Sequence, residues 1–143
     1  METCRLFLKA NTHGTIGLRL TIKFDNLIIF DSRLTEIPIE IEYDFSDNQP
    51  HVLELIMSGK EPQDTVLDAA GQIVQDRVIN IGNIMLDDID ITQIVQQQAT
   101  YSHNFNGSGP QTTEEFYNIM GCNGIVRFEF SNPVYNWLLE NIQ

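Results

Sequence analysis

The sequence predicts a mainly β protein, an antiparallel β-sandwich or jelly roll with one or two short C-terminal helices. Three observations carry that prediction. Over Thr35–Phe45, Ile37, Ile39, Ile41, Tyr43 and Phe45 alternate with Glu36, Pro38, Glu40, Glu42 and Asp44, so one face is apolar and the other anionic. Over 16–24 the same period of two sets Ile16, Leu18, Leu20, Ile22 and Phe24 on one face. Turn signals also recur about every ten residues, the spacing of a sandwich. A strand buried on one face belongs to an antiparallel sheet whose second face meets water or a partner.

The elements follow in order. Residues 3–10 form a first strand, ended by Asn11-Thr12-His13-Gly14. Strand 16–24 turns at Asp25-Asn26 into 27–30, a hairpin. Strand 37–45, a polar turn at 46–50, a strand at 51–58 and a loop at 59–64 come next. Residues 65–75 read as a small hairpin turning at Asp68–Gly71. Residues 77–86 form an apolar strand in which Gly82 marks a bulge or a close contact. Residues 91–98 read as a short helical turn and 99–111 as a loop. Thr112 and Glu115 have capping-box spacing, which predicts a helix over 113–120 stopped by Gly121. A strand at 125–130 precedes a helix at 133–143, opened by Asn132-Pro133. With no linker or repeat, one domain over 1–143 is expected, with 1–92 as its sandwich core and 93–143 as an extension. In the last helix Trp137, Leu138, Leu139 and Ile142 form too wide an apolar surface to face water. They close the end of the sandwich or form an interface with a partner or a second copy.

Composition narrows the function. A chain of 143 residues buries roughly 70% of its unfolded surface and needs no disulfide or metal for its core. Twenty acidic against eight basic residues give a net charge of -12, which leaves no electrostatic route to nucleic acid and repels anionic membrane. No apolar run is long enough to span a bilayer, and the opening M-E-T-C-R-L-F-L-K-A lacks the pattern of a signal peptide. A cytoplasmic location is therefore expected, with Cys4 and Cys122 as free thiols.

Chemical signatures are sparse. Asp88–Thr92 starts like an EF-hand loop, but Gln93 and Ala99 stand where glycine and glutamate are required, so the aspartates read as turn residues. Gly59-Lys60 is no phosphate loop, and no G-x-S-x-G or H-E-x-x-H is present. His13, His51 and His103 are scattered without zinc spacing. Asn106-Gly107-Ser108 fits the glycosylation tripeptide. Glu36, Glu40 and Glu42 match any solvated strand face, so a jelly-roll glycoside hydrolase ranks last and catalytic residues are expected to be none.

The segments L-K-A-N-T-H-G, H-V-L-E-L-I-M-S-G-K-E-P-Q-D and Q-D-R-V-I-N-I-G-N-I-M-L-D-D, spread over 5–92, are similar to small β-sandwich modules that bind xylan with calcium. Those chains run from an A-x-G-T-like opening through an acidic loop to a D-R-x-L-x-I-x-x-I-x-L-x-G segment, and Asp76-Arg77 is the matching pair. In that family loop aspartates and backbone carbonyls hold calcium, which meets sugar hydroxyls. The resemblance implies Asp64 and Asp76 as metal ligands, Glu61 nearby, and Ca2+ as the cofactor. This chain departs by an inserted hairpin at 65–75, by Asp87-Asp88 in place of the terminal glycine, and by having no row of tryptophans. The tail ending N-P-V-Y-N-W-L-L-E-N-I is similar to that of virion-associated proteins of tailed phages, cyanophages included. Taken together, these resemblances imply a non-enzymatic interaction or structural protein, a capsid-decorating or tail-associated phage component with protein partners. The second expectation is a calcium-dependent module for cell-surface or other glycans.

Overall fold

Alternation along the first strand sets Cys4, Leu6, Leu8 and Ala10 inward and Arg5 and Lys9 outward, and the rest of the fold is laid against that pattern. A computed structural model describes residues 3–12, 18–46, 49–61, 64–131 and 134–141. The strands are β1 (Cys4–Thr12), β2 (Arg19–Phe24), β3 (Leu27–Arg33), β4 (Ile39–Phe45), β5 (Pro50–Ser58), β6 (Thr65–Leu67) and β7 (Ile73–Asp76). There follow β8 (Ile79–Ile81), β9 (Met85–Leu86), β10 (Ile89–Asp90), β11 (Thr100–His103), β12 (Thr112–Glu115), β13 (Ile119–Met120) and β14 (Gly124–Ser131). Helix α1 (Thr92–Gln98) lies between β10 and β11, and α2 (Val134–Asn141) ends the described chain.

One sheet runs β10-β9-β1-β8-β13, with β4 on the other flank of β1. The second runs β12-β11-β14-β5-β2-β3, and β6-β7 stand apart as a two-stranded ribbon. Every pairing between them is antiparallel, as the half-buried alternation requires. The sheets meet face to face: the Phe24 ring lies 4.9 Å from Tyr43 and 4.8 Å from Phe45, centroid to centroid. Phe116, Phe128, Leu55, Ile79 and Ile84 are fully buried between them, each contributing about 1.5–3 kcal/mol by burial.

Turn chemistry sets the registers. Asp25 (φ 50) and Asn26 (φ 68) make the left-handed turn that joins β2 to β3, as expected. Asp87 (φ 50) and Asp88 (φ 63) do the same between β9 and β10, so these aspartates are turn residues. The expected strand 77–86 is split into β8 and β9, and Gly82 marks the crossing. Its N–H donates to the Lys9 carbonyl at 2.8 Å, and a Cβ there would meet the Lys9 Cβ at 3.3 Å.

Three expectations are corrected. No helix covers 113–120: β12 is an edge strand whose Thr112 and Glu114 face His103 and Tyr101 of β11. The Thr112 hydroxyl donates to the Pro110 carbonyl instead of capping a helix. Pairing with β11 outweighs the local capping signal, and Phe116 and Met120 reach the core from extended chain. The expected loop 99–111 contains β11, which fills the slot between β12 and β14. Nor is 93–143 an appendage to a finished core, because β14 is an interior strand between β5 and β11.

Candidate functional site

The carboxylates implied as calcium ligands are brought together at the base of the β6–β7 ribbon. Thr65 is the register partner of Asp76, and the Arg77 N–H donates to the Asp64 carbonyl at 2.9 Å. Each carboxylate is already answered by a cation. The Lys60 side chain, 2% exposed, places Nζ 2.6 Å from Asp76 Oδ1 and 2.6 Å from the Gly121 carbonyl. The Thr65 hydroxyl donates to the same Asp76 oxygen at 2.7 Å. Arg77 Nε lies 3.4 Å from Asp64 Oδ1, while Asp64 Oδ2 accepts the Glu61 N–H at 2.8 Å. Glu61 thus joins through its backbone. Calcium takes six to eight oxygens and little positive charge nearby; two carboxylates held by an ammonium and a guanidinium do not fit it. Among the described residues no group of three or more His, Cys, Asp and Glu is placed to hold a metal ion.

The apolar residues of α2 divide. Trp137 and Leu138 are buried in the chain's own core, Trp137 edge-on to Phe128 at 5.8 Å. They close the end of the sandwich, the first of the two roles expected for them. Leu139 is 78% exposed, and Ile142 lies outside the described residues.

Two of the histidines are structural. His51 Nδ1 sits 2.5 Å from Asp25 Oδ2, with its ring among Phe24, Phe45 and Phe130. His103 Nδ1 accepts the Phe105 N–H at 3.2 Å, so its proton is on Nε2, which donates to Glu114 Oε1 at 3.1 Å. His13 lies outside the described residues.

A surface suited to a ligand lies along α1. This helix buries Val95 and turns Gln93 and Gln97, four residues apart, to solvent. On one side of them is a cleft of about 430 Å³, with Ile89, Ile94 and Leu138 as apolar wall and Asp90, Thr92 and Asn141 as polar wall. On the other is a cleft of about 440 Å³ formed with Gln96, Glu115 and Tyr117. Gln93 and Gln97 line both and so stand between two adjoining clefts, one on each side of the helix. Gln98 Nε2 donates to Asn141 Oδ1 at 2.9 Å and Gln96 Nε2 to Asn118 Oδ1 at 3.1 Å, which fixes both flanks. Tyr117 is 64% exposed, and its hydroxyl donates to Glu115, whose carboxylate pushes the phenol pKa up. Uncharged amides that both donate and accept, beside an open aromatic face, match the alternating hydroxyls and C–H faces of a sugar. These clefts leave almost no trace in the sequence. Their only signal was the glutamine spacing within 93–98, which has no meaning until Tyr117 is folded beside it.

No protein-family model matches the chain, and no curated protein is significantly similar to it. In fold it is similar to two solved structures of vCBM60, from calcium-dependent carbohydrate-binding modules related by circular permutation. With the selenomethionine form of vCBM60 the TM-score is 0.57 at 9% identity, over 87% of this chain and 89% of that one. With vCBM60 in complex with galactobiose the TM-score is 0.50 at 12% identity, over 87% of this chain and 96% of that one. At such identities the likeness is one of fold. It takes in more of the chain than residues 1–92 could supply, and it lends no support to a phage-like tail.

Proposed function

We propose that this protein is a non-catalytic glycan-binding module that takes a neutral oligosaccharide in the clefts beside α1. The observation that carries the reading is the placement of Gln93 and Gln97 between two adjoining clefts, with the exposed ring of Tyr117 lining the second. The sandwich shared with vCBM60 supports it. Of the two expectations drawn from the sequence, the glycan-binding one is therefore preferred. A place on a virion would be a setting for such a module, tested by its mass and partners in that setting. The expected result is retardation of the protein in native gels containing neutral polysaccharides, xylan and galactan among them. Tyr117→Ala and the Gln93→Ala/Gln97→Ala pair should each weaken binding about tenfold or more, as lost hydrogen bonds and stacking imply. Binding unchanged in both variants, or none across a broad neutral-glycan panel, would overturn the reading.

A further inference from the structure

We propose that the Lys60 ammonium is the resident cation of the loop cluster at the β6–β7 base, so that this cluster is locked without a metal. A lysine buried this deeply is tolerated only when its charge is answered. Here one carboxylate and one backbone carbonyl converge on Nζ, each at 2.6 Å. That is the oxygen set with which a cation site begins, drawn from the end of β7 and from a loop far from it in sequence. The lysine is held in place from its backbone as well: its N–H donates to Asn123 Oδ1 at 3.0 Å, and its carbonyl accepts from Asn123 Nδ2 at 3.1 Å. Asn123 in turn donates its N–H to Asn106 Oδ1 at 2.7 Å, so three loops are tied through one ammonium and one amide. The second carboxylate has its own counter-charge in Arg77. A divalent ion approaching Asp76 would meet a positive charge already at hydrogen-bond distance from the same oxygen. To bind, it would have to expel the ammonium into solvent and break the tie to Gly121. The tertiary role of a bound ion is thus filled by a covalent part of the chain.

The test reads melting temperature and does not pass through glycan capture, so its failure and that of the glycan reading are separable. Wild-type protein should melt within about 1 °C in EDTA and in millimolar calcium chloride, since a ligand that does not bind shifts nothing. Lys60→Met, similar in length but uncharged, should melt roughly 10 °C lower, because it strands a half-buried carboxylate. Two results would overturn the proposal: a calcium-linked rise in the wild type that Asp76→Asn abolishes, or a Lys60→Met protein melting with the wild type. A calcium-linked rise that survives Asp76→Asn but is abolished by Asp64→Asn overturns it as well, since Asp64 belongs to the same cluster. Should Lys60→Met fail to fold, the wild-type and Asp76→Asn measurements decide alone.

Discussion

Cys4 is 2% exposed on β1, and its thiol shows how burial and charge act together on one group. Loss of solvent is the main cause, with the Asp87 carboxylate second, and the thiol is pushed from 9.0 up to about 12. The sign of the consequence follows. The unfolded chain releases this proton near 9.0 and the folded chain retains it to about 12. The stability it contributes is therefore complete below the first value and lost as pH rises through the second. At mildly alkaline pH a thiol reagent should leave Cys4 unmodified in the folded protein and label it at once in denaturant, as read by mass spectrometry. Labelling of native Cys4 at the rate of a free thiol would show its burial to be wrong. Cys122, half-buried and also raised by desolvation, should be labelled first.

At the scale of elements, α2 is the piece whose removal the core would feel. Trp137 stands between Phe128 at 5.8 Å and Phe130 at 6.1 Å, so Trp137→Ala should cost about 3–5 kcal/mol in urea unfolding, while Leu139→Ser should be nearly silent. Equal tolerance at the two positions would detach α2 from the sandwich. Which elements were legible in sequence has a physical reason. The strand over 39–45 and the hairpin at Asp25-Asn26 announce themselves, because alternation and left-handed turn residues are local properties, although Ile37, which the same alternation sets inward, lies before β4 and is 75% exposed. β11 and β12 do not, because Thr112–Glu115 is as good a helix start as a strand and only pairing with β11, itself held by β14, decides. The clefts were illegible for the same reason: Gln97 and Tyr117 lie on separate elements and share a wall only after folding. The anionic face was half legible. Glu36, Glu40 and Glu42 do point outward, but β1 sets Lys9 3.6 Å from Glu40 and Arg5 3.0 Å from Asp44, which no single strand reveals.

For the whole molecule, charge decides which glycans the proposed site would admit. Arg5, Lys9, Arg19, Lys60, Arg77 and Arg127 all lie in ion pairs, so the net charge of -12 is carried by surplus surface acids. A polyanionic saccharide should be repelled, more so at low ionic strength, whereas capture of a neutral one should be indifferent to salt. Affinity electrophoresis across a salt series checks this, and tighter retention by an acidic polysaccharide at low salt would count against it. The order of the second sheet has a consequence in time. β14, pairing Ser131 with Pro50 at one end and Gly124 with Met57 at the other, is the last of the described strands to be synthesised and sits in the middle. While the ribosome makes everything before it, β5 and β11 each wait with an edge unsatisfied. The sandwich therefore closes late, across a long loop, and such topologies fold slowly. Synthesis halted before residue 124 would release no smaller working module, only a chain with two open edges seeking strands elsewhere.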